Sequence, residues 1–288
     1  GALSGYGGAV YGGTLEYCAL IDSEAIYGGG AYASVLKACT VMGNCATNGG
    51  GVCAAHAVDC TVMDNFASDG GGAYNSTLDY CTIALNEAAN NGGGAFGGKI
   101  YGSSILDNTA SCGGGVYGGE IDACLLQYND ADLLGGNAAE SRIARSEIRD
   151  GTAQFGGGLS SCVVWSSTLE NNCAMTGGGG YYGIQTNCLV VGNRASYLGG
   201  GLYYGCAVNG TIVDNSAVRL GGGCYSTSLE NSIIWDNTVQ SGASSNYYNG
   251  TLQVCCSRPL SVGNGNTNVN PQFVGNGDYR LLSSSPCI

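Results

Sequence analysis

Residues 28–91 read GGGAYASVLKACTVMGNCATN, GGGVCAAHAVDCTVMDNFASD and GGGAYNSTLDYCTIALNEAANN when they are divided before each run of glycines. The three segments align position by position, and glycine clusters recur at steps of 21 or 22 residues from Gly7-Gly8 to Gly221–Gly223. A fixed period of this length indicates a repeat architecture in which each unit stacks on its neighbours. We therefore expect about eleven stacked units.

The repeat lacks helix-length amphipathic segments, so its period favours an all-β chain, a parallel β-helix with three faces per coil. Right-handed winding is expected from the chirality of parallel crossovers. Residues 1–239 form the predicted array. Residues 240–288 form an irregular segment with a strand-like piece at residues 251–255, and we interpret it as a cap or an inter-subunit contact.

One column of the repeat contains only branched aliphatic residues and is predicted to face the core. Its members are Leu20, Val41, Val62, Ile83, Ile105, Leu126, Ile148, Leu169, Val190, Ile212 and Ile234. The residues two positions earlier share that side of a strand and are small, mostly Cys or Ser. The intervening Thr40, Thr61 and Thr82 should face outward.

An asparagine column follows the aliphatic column and predicts a ladder of side-chain amides at a corner, because Asn tolerates left-handed backbone and bonds its counterpart in the next coil. Its members are Asn44, Asn65, Asn86, Asn108, Asn129, Asn172, Asn193, Asn215 and Asn237. We expect Asp22 and Asp150 to fill the two remaining coils.

Aromatic residues follow most glycine clusters in short steps that are typical of another strand. The steps are Val10-Tyr11, Ala31-Tyr32, Ala73-Tyr74, Ala95-Phe96, Val116-Tyr117, Tyr181-Tyr182, Leu202-Tyr203 and Cys224-Tyr225. Their rings should stack, with Ala138 replacing the ring in one coil.

Composition excludes several classes of protein. The chain has 288 residues, 53 glycines, a net charge of −12 and only nine Lys and Arg, which argues against a nucleic-acid partner. No stretch is long and apolar enough for a membrane span. We expect any signal peptide to have been removed already.

Sixteen cysteines without zinc-site spacing indicate an oxidising compartment, so we predict a secreted or cell-surface protein. The inward cysteines of consecutive coils can either bridge or simply stack. Disulfides are predicted among the cysteines outside that column. These are Cys45, Cys53, Cys112, Cys162, Cys173, Cys206, Cys224, Cys255, Cys256 and Cys287.

One coil, residues 132–155, concentrates charge and loses a glycine. A surface cluster of ion pairs is the simplest interpretation, and a binding patch is the alternative. The candidate binding residues are Glu140, Arg142, Arg145, Glu147, Arg149 and Asp150.

The C-terminal motifs Asn270–Val274, Gly277–Leu281 and Ser285–Ile288 resemble the terminal signature of secreted bacterial β-helix proteins of the choice-of-anchor type. The Gly-Gly-Gly-Ala-Tyr steps are also similar to repeats of polymorphic outer-membrane proteins, although the Phe-x-x-Asn motif of those repeats is absent. The resemblance implies a surface destination and not a reaction.

These observations favour an extracellular structural or adhesive protein, with a polysaccharide lyase or hydrolase and a glycan-binding module as alternatives. No catalytic residue, metal or cofactor is predicted. Acidic residues recur at a regular spacing that is typical of solvated turn positions; examples are Asp64, Asp107, Asp214 and Asp236. We expect partners to be surface glycans or a second copy of the chain stacked head to tail, because the six residues before Gly7 are too few for a capping helix.

Overall fold

A computed structural model describes residues 4–241 and 245–288 as a β-solenoid in which each coil contributes one strand to each of four parallel sheets. Every sheet has twelve strands. The predicted parallel stacking is confirmed, whereas the expected three faces are wrong. Strands of only two to five residues meet at corners where one residue has a positive φ angle, so a 21-residue period accommodates four short strands.

The first and second sheets flank the glycine clusters. Strands of the first sheet are Ser4–Tyr6, Glu24–Tyr27, Cys45–Asn48, Phe66–Asp69, Glu87–Asn91, Thr109–Cys112, Asp130–Leu134, Thr152–Phe155, Cys173–Thr176, Arg194–Leu198, Ser216–Ala217 and Thr238–Val239. Strands of the second sheet are Val10–Tyr11, Ala31–Tyr32, Val52–Cys53, Ala73–Tyr74, Ala95–Phe96, Val116–Tyr117, Ala138–Ala139, Leu159–Ser160, Gly180–Tyr181, Leu202–Tyr203, Cys224–Tyr225 and Tyr247–Tyr248.

The third and fourth sheets complete each coil. Strands of the third sheet are Thr14–Glu16, Val35–Lys37, His56–Val58, Thr77–Asp79, Lys99–Tyr101, Glu120–Asp122, Arg142–Ala144, Val163–Trp165, Ile184–Thr186, Cys206–Val208, Ser228–Glu230 and Thr251–Gln253. Strands of the fourth sheet are Ala19–Ile21, Thr40–Met42, Thr61–Met63, Thr82–Ala84, Ser104–Leu106, Leu125–Gln127, Glu147–Arg149, Thr168–Glu170, Leu189–Val191, Thr211–Val213, Ile233–Trp235 and Cys256–Ser257. Coils are numbered 1 to 12 in chain order.

The aliphatic column lies inside the fourth sheet, as predicted. All of its members from Leu20 to Ile234 are buried, and Val41, Val62 and Ile83 have no exposed surface. Of the three threonines expected to face outward, Thr82 is exposed and Thr40 and Thr61 are half-buried. The strand thus alternates between core and outer face. The hydrophobic core is continuous along the solenoid.

The asparagine ladder is confirmed and is made of asparagine throughout, from Asn44 to Asn246. From Asn44 onward each amide Nδ2 donates to the Oδ1 of the next rung at 2.8–3.0 Å. The assignment of Asp22 and Asp150 to the ladder was wrong, because both precede the ladder position by one residue. Asn137 and Asn246 provide rungs instead, each from the position that the third glycine occupies in other coils.

In coil 7, the asparagine and the glycine that face each other in other coils have changed places. Elsewhere the third glycine lies against the amide, and a Cβ at Gly94 would lie 3.1 Å from Nδ2 of Asn108. In coil 7 the amide comes from Asn137, and the ladder position is Gly151, where a Cβ would lie only 2.3 Å from Nδ2 of Asn137. The ladder therefore continues through a coil whose sequence breaks the asparagine column.

The aromatic column stacks in three separate runs, which begin at Tyr11, Tyr74 and Tyr181. Tyr74, Phe96 and Tyr117 form one, with ring centroids 4.9 and 5.5 Å apart. Cys53, Ala139 and Ser160 interrupt the column in coils 3, 7 and 8. Two predicted positions were wrong by one residue: Tyr181 rather than Tyr182 belongs to the column, and Ala139 rather than Ala138 replaces the ring.

No cysteine is within bonding distance of another in the described residues, so the predicted disulfides are not found. The classification of Cys255 as an off-column residue was wrong, because it is the coil 12 member of the inward cysteine column. Cys162 is buried in a second column of small residues at the start of the third sheet. These thiols donate to nearby backbone carbonyls, Cys162 to Ser160 at 3.3 Å and Cys255 to Gln253 at 3.2 Å.

Residues after 240 extend three of the sheets and then fold back. Tyr247–Ser257 contains the coil 12 strands of the second, third and fourth sheets. The backbone N–H of Thr267 then donates to the carbonyl of Cys255 at 2.9 Å, and Asn266 donates to the carbonyl of Leu252. A hairpin of Phe273–Gly275 and Asp278–Leu281 completes the chain. Of the six residues preceding Gly7, residues 1–3 lie outside the described part.

Candidate functional site

The outer face of the third sheet carries two columns of side chains, because the middle residue of each three-residue strand points inward. In coils 4 to 8 the first column contains Thr77, Lys99, Glu120, Arg142 and Val163. The second contains Asp79, Tyr101, Asp122, Ala144 and Trp165. Charged and aromatic residues from five coils are thereby placed side by side.

A groove of about 500 Å³ runs along this face, and we call it the charged groove. Its depth comes from Ala144, whose small side chain is buried between two larger neighbours, Asp122 and Trp165. Trp165 and Tyr101 are each 41% exposed and provide aromatic surface in the groove. The groove therefore combines flat rings with charged side chains.

Most charges in the groove are paired across coils. Lys99 Nζ lies 3.4 Å from Glu120, Arg145 bonds Asp122, and His56 lies 2.8 Å from Asp79. Arg142 is exposed and forms no ion pair within residues 4–241 and 245–288. Its guanidinium is the free cation of the groove.

One acceptor in the groove is unsatisfied. Oδ1 of Asp122 is buried and has no hydrogen-bond partner among the described residues, whereas Oδ2 accepts from Arg145. A buried acceptor without a partner costs free energy of folding.

Five of the six candidate binding residues lie on two surfaces, and Glu140 lies on neither. Arg142 and Arg145 line the charged groove. Glu140 is exposed at the corner before the third sheet, outside the residues that line the groove. Glu147 and Arg149 belong to the fourth sheet, and Asp150 lies at the corner after it. Gln127 joins two of them, accepting from Arg149 Nη2 at 3.2 Å and donating to Asp150 at 2.9 Å.

The groove also contains residues that the sequence analysis missed. Tyr101, Asp122 and Trp165 come from coils 5, 6 and 8 and are separated by 21 or more residues in the chain. The signal was present in the repeat itself, since adding the period to Tyr101 reaches Asp122. Outward residues of successive coils form columns, as the core residues do, and these columns predict which side chains are neighbours.

A second cavity, about 470 Å³, lies between the terminal hairpin and the fourth sheet. Tyr279 donates its hydroxyl to Asp214 at 2.6 Å. Burial and this hydrogen bond raise the pKa of Tyr279 to about 12. Burial and the nearby Asp214 raise the pKa of Asp236. A hydrolase needs two converging carboxyls, and here the carboxyl of Asp214 is already engaged by the hairpin.

The fold and these surfaces define a parallel β-solenoid with a charged aromatic groove on one face. No protein-family model matches the sequence, and no curated protein matches it. The resemblance to proteins of the choice-of-anchor type therefore gains no support from these comparisons.

Similar solved structures include the Dettilon tailspike protein, at 12% identity and a TM-score of 0.34 over 88% of this chain. Another is PfbA, a surface adhesin of Streptococcus pneumoniae, at 9% identity and a TM-score of 0.32 over 87% of this chain and 78% of its own. The chain spans 57% of the tailspike chain. At these TM-scores, function has to be argued from the residues of this chain.

Across the described ranges, we find no helical segment with the length and apolar character that crossing a membrane would require.

Proposed function

We propose that this protein is an extracellular adhesive β-solenoid whose charged groove binds an acidic polysaccharide. The observation that carries the proposal is the exposed and unpaired guanidinium of Arg142 beside the gap at Ala144. Arginine presents a planar fork that matches a carboxylate with two parallel hydrogen bonds. A uronate residue would place its carboxylate there.

One neighbour completes the proposed recognition. The half-exposed ring of Trp165 offers a flat surface on which the apolar face of a sugar packs. One monosaccharide thus has two contacts of different chemistry, which is typical of a pocket that orients its ligand.

Binding should be measured by calorimetry with galacturonate oligomers and with their methyl esters. We expect the acid to bind and the ester to bind at least tenfold more weakly, because the ester cannot pair with Arg142. Arg142→Gln and Trp165→Ala should each weaken binding of the acid. Arg149→Gln is the matched control, since Arg149 lies on the fourth sheet. Equal binding of acid and ester would refute the proposal.

The extracellular location is part of the proposal. The absence of disulfides in the described residues removes the cysteine count as support for it. The low charge content and the acidic balance of nine Lys and Arg against 21 Asp and Glu remain, and both suit a surface outside the cell. Protease treatment of intact cells that express the protein should degrade it. Full protection would place the protein inside.

Head-to-tail self-association remains a prediction. Any partner at the end formed by coil 12 would meet residues 258–269, which bond that coil through Thr267 and Asn266. Light scattering as a function of protein concentration tests the prediction. Polymers at high concentration would support it, and a constant monomer mass would contradict it.

A further inference from the structure

The outer face of the third sheet has a second region, in coils 9 and 10, that differs from the charged groove. Its outward residues Ile184, Thr186, Cys206 and Val208 are all uncharged. One border is formed by tyrosines that precede the strands and the other by asparagines that follow them. We call this region the tyrosine–asparagine face.

Two tyrosines of this face occupy backbone positions that disfavour large side chains. Tyr182 and Tyr204 have φ angles of 45° and 55° at the corner between the second and third sheets. The same corner also has a positive φ at Ala33, Glu140 and Ser226, so the left-handed backbone is a property of the coil. A left-handed backbone is costly for bulky residues and is readily adopted by Gly and Asn. Tyr17, Tyr80 and Tyr128 also have positive φ angles, at other corners.

The tyrosines form two stacks that meet at a steep angle. Tyr181 and Tyr203 stack with centroids 5.3 Å apart, and Tyr182 and Tyr204 stack with centroids 5.0 Å apart. Within each coil the two rings are edge to face, with interplanar angles of 75° and 68°. The sequence marks this arrangement as a Tyr-Tyr-Gly step repeated in consecutive coils.

Core packing does not account for the two tyrosines. Tyr182 is 46% exposed and Tyr204 is 38% exposed, so neither ring fills the core. Both rings therefore present aromatic surface to molecules outside the solenoid.

The opposite border carries a short exposed ladder of amides. Asn209 donates from Nδ2 to Oδ1 of Asn187 at 3.0 Å, and Asn231 donates to Oδ1 of Asn209 at 2.8 Å. Unlike the buried ladder, all three residues are exposed. Their remaining donor and acceptor sites are open to a ligand. Asn187 and Asn209 also line a cavity of about 560 Å³ with Tyr279 of the terminal hairpin.

We infer that the tyrosine–asparagine face is a binding site for an uncharged hexopyranose chain. Sugar rings present apolar C–H faces that pack on aromatic rings, and their hydroxyls both donate and accept, as amides do. No outward residue of the coil 9 and 10 strands is charged. At the asparagine border, Glu230 is exposed and Asp278 and Arg280 pair with each other, so no free cation is placed there for an acidic glycan within the described residues. The inference stands independently of the charged groove, which lies in coils 4 to 8.

The test is calorimetric titration with cellohexaose, mannohexaose and galactohexaose. We expect at least one of these neutral hexamers to bind. Tyr182→Asn and Tyr204→Asn should each weaken that binding at least tenfold, because stacking is lost. Tyr204→Phe should retain binding, because the ring remains. Arg142→Gln should leave neutral-hexamer binding unchanged, which separates this site from the charged groove.

Thermal melting of the same variants distinguishes a binding role from a packing role. Asn tolerates the backbone at residues 182 and 204, so both Tyr→Asn variants should melt at or above the temperature of the parent chain. A lower melting temperature for both would assign the rings to packing and overturn the inference. Failure of all three hexamers to bind would also overturn it, as would displacement of a bound hexamer by decaproline, a probe for peptide grooves lined with aromatic residues.

Discussion

The charged groove and the tyrosine–asparagine face lie on the same sheet and share the same construction. Both have three-residue strands with the middle residue buried, such as Ile121 under the groove and Ala207 under the second region. Their outward residues differ in charge, aromatic content and hydrogen-bonding groups. Core and surface are therefore largely independent in this fold. The outward residues change from coil to coil, while the buried middle residues of coils 4 to 8 and 10 stay apolar and coil 9 buries Gln185.

The largest expected effect tests whether both regions depend on one interior. Ile83→Asp and Ile212→Asp each place an unpaired charge in the core and should destabilise the fold by several kcal/mol. The adjacent outward substitutions Thr82→Asp and Thr211→Asp should change stability by about 0.5 kcal/mol or less. Chemical denaturation of the four variants measures this. Equal destabilisation within either pair would contradict the separation of core from surface.

The next effect tests whether coil 7, beneath the charged groove, can adopt the asparagine and glycine arrangement of the other coils. Asn137→Gly removes one rung and leaves neighbouring amides unpaired, at a cost of about 1 to 3 kcal/mol. Gly151→Asn alone forces a clash with Asn137. The double variant recreates the arrangement of the other coils and should recover most of the stability.

A double-mutant cycle over these chains gives the coupling between the two positions. If the losses of stability in the two single variants add up in the double variant, Asn137 and Gly151 are not energetically coupled.

A smaller effect concerns the inward thiols, which both regions share. Burial raises the pKa of Cys124 to about 11 and also raises the pKa of Cys188. As pH rises, the thiol ionises in the unfolded chain before it ionises in the folded one. Its contribution to the stability of the fold is therefore complete below pH about 9 and is lost as pH rises toward 11. Each pKa unit is worth about 1.4 kcal/mol. Melting temperatures should therefore fall through this range.

Cys124→Ser is the matched variant for that experiment, since Ser103 and Ser146 occupy the same column in adjacent coils. It should reduce the alkaline loss of stability. An identical pH profile would show that other groups cause it.

The smallest effect concerns the exposed ion pairs that give the groove its charge. Lys99 and Glu120 are 72% and 61% exposed, so Lys99→Ala should cost less than about 1 kcal/mol. Acidic-glycan binding should nevertheless weaken as salt increases, whereas neutral-hexamer binding at the second region should not change. Salt dependence at both regions would erase the distinction between them.

Much of the fold was predictable because a solenoid repeats its constraints in every coil. The aliphatic column and the asparagine column each had many members, so a register error at one coil could not survive. The number of faces was not predictable from the period, since 21 residues fit three strands or four shorter ones. The Tyr181 position was missed because two adjacent tyrosines fit the aromatic column equally well in one dimension.

The candidate site was predictable only in part. Arg142 and Arg145 stood out because charge is rare in this chain and concentrated in coil 7. Their partners Asp122 and Trp165 come from flanking coils, and only the stacking register brings them together. The Asn137 rung was not predicted for a related reason. Asn137 lies in the glycine column of the repeat, so the asparagine column by itself does not contain it.

The buried asparagine ladder has an electrical consequence. Every amide from Asn44 to Asn246 accepts from the preceding coil and donates toward the following one, so the amide dipoles point the same way along the axis. Aligned dipoles reinforce one another and sum to partial charges at the two ends, as in an α-helix. The N–H end lies at coil 12, where Asn246 donates to the carbonyl of Arg258 at 2.6 Å. The solenoid is thus a polar rod whose ends differ in the charge they attract.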